Sequence, residues 1–457
     1  MRNIEKRAFV CLLLALFLAA GLGFFCYRYV TQGGDWASYP FNRHMYNNQG
    51  QLISGAIYDR DGDALSECTD GKRTYYPDAT VRKATLHAVG DPQGNIGTGA
   101  LTAFADTLSG YNLVTGGYSP TGAGRDLTLT IDAYLNVTAY NAMAGRQGAV
   151  GVYNYKTGDI LCMVSTPTYD PLNPPDLSES SEGYDGVYLN RFLSSAQVPG
   201  SIFKTVTLAA ALEKMPDLEN RTFTCTGETE VGGDVITCPK PHGEMDIKSA
   251  LAKSCNGVFG QLAAELGAST MTEYVKKAGL TDRLSVDGIL TAAGSYDLSG
   301  ATQNQLGWSG IGQYKDTVNP CTMMTYMGAI ANGGTAAVPR LIRSVETPMG
   351  GIPTAWKRTQ ETTTLIEPAT AAKVAEMMKN DVVQTYGSDR FRGMDIGAKS
   401  GTAEVGGGKR PNAWFTGFLD DPDQPYAFIV LVENGGGGAS VAGEIAATVL
   451  RACVDKF

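Results

Sequence analysis

Ser201 and Lys204 stand three residues apart in the stretch Gln197-Val-Pro-Gly-Ser-Ile-Phe-Lys-Thr-Val-Thr-Leu-Ala-Ala-Ala-Leu-Glu213. At that spacing a hydroxyl and an amine share one face of a helix and can meet. Pro199 and Gly200 break whatever precedes, and an almost wholly apolar helical pattern runs on until Pro216. Ser201 is therefore predicted at the first turn of a helix. A helix apolar all round is expected to be buried. Burial disfavours the charged amine and leaves a neutral lysine that can act as a base. The helix N-terminus also offers N–H groups and positive partial charge to a developing oxyanion. This is the equipment of acyl transfer through a serine. Taken alone, Ser-x-x-Lys is a loose pattern that also describes a helix start with a solvated lysine, although the chain has only this one.

Two further groupings could act with that pair. Lys253-Ser254-Cys255-Asn256 follows a helix predicted over Met245–Ala252, and Ser254 with Asn256 makes the chain's single Ser-x-Asn. By itself it reads as a helix-end cap. Lys399-Ser400-Gly401-Thr402 opens a late run of strands, where Gly401 would let a substrate backbone approach closely. Lys156-Thr157-Gly158 has the same pattern, but it precedes Ser201 and sits at a hairpin tip before Asp159, so it reads as a turn without chemistry. Gly310-Ile-Gly-Gln313 and Asn434-Gly-Gly-Gly-Gly438 lack the Gly-Lys-Ser/Thr that a nucleotide loop needs. Gln313 fits a cleft-lining residue and a turn residue equally well.

The elements that must position these residues come from a chain of 457 residues, enough for two or more domains and a large core. A net charge of -9 with no basic stripe argues against nucleic acid as a partner. His44, His87 and His242 are the only histidines and lie far apart, which disfavours a multi-His metal site and a Ser-His-Asp triad. Of nine cysteines, Cys11 and Cys26 fall in an N-terminal apolar run, and the remaining seven do not imply a full disulfide framework. Cys225 and Cys238, close together in a Gly/Thr-rich loop, suggest a bridge in an oxidising compartment. A zinc site there would need two more ligands. His242 alone is nearby in sequence, so no metal is expected.

Arg2, Lys6 and Arg7 precede an uncharged apolar run, Ala8–Tyr27, long enough to span a bilayer. Positive charge ahead of it, and none between Arg28 and Arg43, places the N-terminus in the cytoplasm and the body outside. The run continues through Gly23-Phe-Phe-Cys-Tyr27 without a small-x-small cleavage site, which indicates a retained anchor. Three regions are expected: residues 1–30, cytoplasmic tip and transmembrane anchor; 31–124, a linker (Thr31 to Gln51) and a small membrane-proximal module; and 125–457, the main domain. In the module, Ser54-Gly-Ala-Ile-Tyr-Asp-Arg-Asp-Gly-Asp63 is an extended stretch turning at Asp61-Gly62.

In the main domain, Asp126–Ile131 alternates like a strand and Asp132 is placed to cap a helix running to about Arg146. Val150–Tyr153 and Ile160–Val164 form a predicted hairpin. Ile396–Ala403, Ala413–Leu419 and Ala427–Val432 read as a three-strand meander, and Ser440–Val454 as a closing helix. Early strands, a helical middle and late strands predict an α+β fold in which one sheet is assembled from both ends of the domain, with helices on its faces.

Ser-x-x-Lys, Ser-x-Asn and Lys-Thr/Ser-Gly in this order are the signature of penicillin-binding proteins and serine β-lactamases. The chain resembles a class B (monofunctional) penicillin-binding protein, a peptidoglycan D,D-transpeptidase, from the anchor to the last helix. Ile57-Tyr-Asp-Arg-Asp-Gly62, Asp126–Asp132, Pro199–Lys204, Ser254–Asn256, Gly310–Gln313 and Lys399-Ser-Gly-Thr-Ala-Glu404 carry the likeness. Ser400 stands where threonine is commoner, Ser54-Gly-Ala56 replaces the usual Arg-Gly-Arg, and the upstream module is short. The resemblance implies an antiparallel sheet with helices on both faces. It implies catalytic roles for Ser201, Lys204, Ser254, Asn256 and Lys399. Ser400, Gly401 and Thr402 would bind the terminal carboxylate of a D-Ala-D-Ala stem peptide. It further implies covalent inhibition by β-lactams, no metal or organic cofactor, and a membrane glycosyltransferase as partner. A β-lactamase of the same fold, which would require a base placed to deacylate the enzyme, and a non-catalytic β-lactam receptor or cell-wall scaffold are the alternatives; Glu265 and Glu273 follow the second motif, but neither sits in the pattern the hydrolases show.

Overall fold

The computed structural model describes residues 2–37, 54–109, 124–177, 182–346, 353–355 and 357–457. Most of the linker expected over Thr31 to Gln51, and the end of the module before Gly124, lie outside them. Helix α1, Arg2–Ala37, contains Lys6–Thr31, which is long and apolar enough to cross a membrane. At about 1.5 Å per residue those 26 residues run roughly 39 Å, more than the ~30 Å hydrocarbon core of a bilayer.

The main domain is built on one antiparallel sheet of five strands: β1 (Gly148–Asn154), β2 (Ile160–Thr166), β3 (Ile396–Ala403), β4 (Asn412–Leu419) and β5 (Tyr426–Val432). Their spatial order is β3-β4-β5-β1-β2, so the early hairpin and the late meander join as expected, through the pairing of β5 with β1. Both faces are apolar. Tyr153, Trp414, Phe418, Ile429 and Leu431 point into one core, while Val150, Val152, Phe415, Phe428 and Val430 point into a second. Successive residues of a strand face opposite ways, so a sheet covered on both sides reads as a nearly unbroken apolar run.

On the first face lie the short 3-10 turn Gly200–Phe203, running directly into Lys204–Lys214, and helices Asn256–Lys277 and Pro320–Ala331. On the second lie Ala133–Met143 and Gly443–Lys456. Asp132 caps the former as expected, its carboxylate accepting from Leu135 N at 2.9 Å. The helix expected over Met245–Ala252 begins later, at Ile247, because Asp246 caps it by accepting from Ser249 N. The Ser201 segment likewise begins as a tight 3-10 turn and becomes α-helical only at Lys204.

The strands between residues 57 and 75 are not a separate layer. Ile57–Tyr58, Ala64–Thr69 and Lys72–Tyr75 share a six-stranded sheet with Leu127–Leu129, Ile342–Glu346 and Pro353–Ala355. Ile57–Tyr58 pairs in parallel with Leu127–Leu129 across the boundary drawn at 124. The Asp59 carboxylate accepts from Asp61 N and Asp63 N, closing the turn, and from Ala133 N at 3.1 Å. The expected strand at Asp126–Ile131 therefore exists but belongs to this second sheet.

The central sheet is fastened to the Ser201 turn by a part-buried hydrogen bond: Trp414 Nε1 donates to the Val198 carbonyl at 2.9 Å, with Trp414 itself fully buried. Trp414→Phe keeps most of the packing but strands that carbonyl. It should lower unfolding free energy by about 1–3 kcal/mol, measured by denaturant titration. Unchanged stability would show that the Val198 carbonyl finds another donor.

Candidate active site

The three groupings picked out from sequence meet in the fold. Gly200 has φ 56, a left-handed value, and a Cβ on it would lie 2.9 Å from the Thr402 carbonyl oxygen. The turn thereby brings Ser201 against strand β3. Gly401 completes the fit, although not in the way expected. The atom close to it is the carbonyl oxygen of Pro199, 2.8 Å from where a Cβ would sit, with Ile202 Cγ2 at 3.1 Å. Its missing side chain makes room for the chain's own turn, and a substrate backbone is not needed to explain it.

Lys204 is fully buried. Its Nζ donates to the Ser254 carbonyl at 2.6 Å, to Ser254 Oγ at 3.1 Å and to Asn256 Oδ1 at 2.8 Å. These contacts use all three protons of an ammonium. Burial, and then the charge of Lys399, hold Lys204 well below the ordinary lysine pKa. The neutral amine has a lone pair in place of one donor, and Ser254 Oγ, 3.1 Å away, can then donate to it. Among the described hydrogen bonds none joins Ser201 Oγ directly to Lys204.

Ser254 has φ 51, rare for a residue with a side chain. It ends helix Ile247–Ala252 while Cys255 N returns to the Ala250 carbonyl, and Asn256 starts the next helix. The grouping is thus a helix-end turn as well as a cluster of functional groups. Asn256 Nδ2 donates to the Thr237 carbonyl at 2.9 Å, which orients its Oδ1 toward Lys204.

Lys399 is fully buried on β3, and its Nζ donates to Tyr386 Oη at 3.3 Å and to the Ser400 carbonyl at 3.2 Å. No described hydrogen bond joins it to Ser254. Tyr386 Oη accepts from Ser400 N at 2.9 Å and donates to Ser400 Oγ at 3.1 Å. Its ring sits edge-on to Phe415 at 5.1 Å, which fixes that hydroxyl. Thr402 Oγ1 accepts from Gly438 N at 3.2 Å.

Ser201, Ser254, Asn256, Ser400 and Thr402 line one cleft of about 530 Å³, with Trp308, Gln313, His242 and Glu404 also on its wall. Gln313 is therefore a cleft residue. Glu265 is not: it is half-exposed and ion-paired with Arg221 at 2.7 Å. Glu273 is exposed, away from the described lining. Lys156-Thr157-Gly158 forms the turn between β1 and β2, as read from sequence, with Asn154 Oδ1 accepting from Lys156 N and Thr157 N.

Two residues of this cluster had no signal in the sequence. Tyr386 lies in a π-helical turn, Val382–Tyr386, and Asp381 directly precedes it. Asp381 is fully buried, and among the described residues neither of its oxygens has a hydrogen-bond partner. Burial raises its pKa to about 8, against the pull of Lys399 and then Lys204. Motif spacing reveals neither, because both reach the lysines from a helix that packs onto β3.

The family described as the penicillin binding protein transpeptidase domain matches residues 148–451. The peptidoglycan D,D-transpeptidase PbpA of Mycolicibacterium smegmatis is 30% identical over 72% of each chain. Among solved structures, the D,D-transpeptidase domain of a peptidoglycan glycosyltransferase from Eggerthella lenta superposes with TM-score 0.76 at 26% identity, covering 88% of this chain and 98% of its own. The penicillin G acyl-enzyme complex of penicillin-binding protein A from M. tuberculosis gives TM-score 0.73 at 25% identity, covering 88% and 99%.

The Asp381 carboxyl generates a pH prediction. The unfolded chain ionises it near 3.8 and the folded chain near 8, so between those values the folded state holds the extra proton and stability falls as pH rises. Asp381→Asn removes that difference. Its melting temperature relative to wild type should climb as pH increases across the window. A constant offset would contradict the assignment.

Proposed function

The chain belongs to the penicillin-binding protein transpeptidases, class B, and from that premise we propose that it cross-links peptidoglycan through an acyl-enzyme on Ser201. The observation that carries this reading is the convergence of three sequence-remote groupings on one cleft, two of them joined at the Lys204 amine. Ser201 Oγ attacks the carbonyl between the two terminal D-alanines of a stem peptide and gives its proton to neutral Lys204. The N–H groups of Ser201 and Thr402 hold the oxyanion. Ser254, 3.1 Å from Lys204 Nζ, passes a proton on to the leaving amine. Asn256 orients Lys204, and buried Lys399 supplies positive charge behind Ser400 and Thr402, which bind the terminal carboxylate. An amine from a neighbouring strand then resolves the ester, releasing Ser201 with its proton restored. A β-lactam takes the place of the stem peptide and stays attached. The β-lactamase reading lacks support at Glu265, ion-paired with Arg221, and at exposed Glu273, neither of which lines the cleft.

Helix α1 serves in this reading as the anchor, with the N-terminus cytoplasmic and the cleft outside, following the placement of Arg2, Lys6 and Arg7. Because the enzyme makes cross-links and no glycan, a membrane glycosyltransferase is its natural partner, met through α1 and the 31–124 region.

Ser201→Ala should abolish covalent penicillin labelling, and mass spectrometry of the wild-type adduct should place it on the peptide containing Ser201. An adduct elsewhere defeats the mechanism. Arginine keeps the charge of Lys204 but does not deprotonate in proteins. Lys204→Arg should therefore slow acylation roughly 10²–10⁴-fold; near-normal acylation would mean that Lys204 acts through charge alone. Replacing α1 and residues 54–124 by an unrelated helix and spacer should abolish co-purification with a glycosyltransferase, and a chimera that retains it would refute docking through these segments.

A further inference from the structure

Cys225 and Cys238 are neighbours in space, yet both are thiols, so the bridge suggested by their spacing is not formed. The two missing ligands of the discarded metal reading are also present. His242 is one. The other is Cys255, the middle residue of the Ser254–Asn256 turn, which is remote enough in sequence to escape a local search. The four ligand atoms all lie within 4.8 Å of one another. Cys238 Sγ and Cys255 Sγ are 3.8 Å apart, and Cys225 Sγ and His242 Nδ1 are 3.6 Å apart. A tetrahedral zinc with Zn–S near 2.3 Å and Zn–N near 2.0 Å needs ligand separations of about 3.8 Å and 3.5 Å along those edges.

We propose that Cys225, Cys238, His242 and Cys255 form a tetrahedral zinc site that fixes the turn carrying Ser254 and Asn256. Four protein ligands close the coordination sphere, which is the pattern of a structural zinc. On binding, the three thiols become thiolates and release their protons to solvent, and His242 binds as the neutral imidazole through Nδ1. The surroundings fit an electron-rich cluster: Gly257 N donates to Cys238 Sγ at 3.4 Å. The ligands come from three places in the fold. Cys225 ends strand Phe223–Cys225, and His242 immediately precedes its partner strand Gly243–Met245. Cys238 follows Asp234–Thr237, and Cys255 joins the two helices of the catalytic turn. The ion would clamp the cleft's edge, including Thr237, whose carbonyl orients Asn256, onto the turn whose Ser254 holds a left-handed φ. Zinc binding would offset the cost of holding that conformation.

The consequence for acylation rests on the proposed acyl-transfer function, whereas metal content does not, so the two are measured separately. Full-chain protein in detergent, prepared without chelator, should carry one zinc per chain by elemental mass spectrometry. Co²⁺ exchanged into it should show thiolate charge-transfer and tetrahedral ligand-field absorption. Cys225→Ser and His242→Ala should weaken Zn²⁺ binding by more than the roughly 10–100-fold caused by loss of an outer-shell partner. His242→Cys should keep the metal, which separates ligand loss from misfolding. Removing zinc should slow penicillin labelling at least about tenfold, and added Zn²⁺ should restore it. Metal-free protein carrying a Cys238–Cys255 or Cys225–Cys238 disulfide would overturn the site, and labelling indifferent to zinc removal would overturn its positioning role. Zinc-loaded wild type that takes no penicillin label would instead count against the acyl-transfer reading.

Discussion

A lysine amine with no exposure to water is the constraint on which this site depends. Removing an ammonium from water costs several kcal/mol unless its donors are met, and Lys204 meets that demand with Ser254 and Asn256. Each contact therefore has two effects. It stabilises the buried group, and it holds the hydroxyl and amide of the Ser254 turn at fixed distance from the helix that carries Ser201. Lys399 adds a second buried amine nearby, whose charge further disfavours protonation of Lys204. Asp381, buried near both, keeps its proton up to a pKa of about 8, because burial outweighs the pull of the two amines.

The central sheet makes that arrangement rigid. Its two apolar faces are covered by separate helical layers, so β3 cannot shift without disturbing both cores. The Ser201 turn is held to the sheet at three points: Trp414 to the Val198 carbonyl, Gly401 under the Pro199 carbonyl, and Gly200 against Thr402. A nucleophile fastened to β3 in this way faces Ser400 and Thr402 across a fixed gap, as catalysis by preorganised donors requires.

The far wall of the cleft is made differently. Residues 223–245 form short two-stranded pieces that gather Cys225, Cys238 and His242 against Cys255. The two walls divide the work of placement: β3 positions the Ser201 turn, and the turn after helix Ile247–Ala252 positions Ser254 and Asn256 at the Lys204 amine.

Much of this was legible in the residues themselves. The apolar run from Ile202 to Leu212 marks the buried helix, short apolar runs mark β1 to β5, and three short patterns mark Ser201, Lys204, Ser254, Asn256 and Lys399, because local spacing dictates which side chains share a helix face or strand edge. The limits were equally physical. Asp126–Ile131 reads correctly as a strand, but which sheet it joins depends on pairing with Ile57–Tyr58 and Ile342–Glu346. Gly401 signals a close approach without saying what approaches. Tyr386 and Asp381 are ordinary helix residues until packing places them beside Lys399, and Cys255 is an ordinary buried cysteine until the fold sets it against Cys238. Composition and local periodicity decided which elements form; contacts between residues far apart in the chain, which no local pattern encodes, decided what those elements bring together.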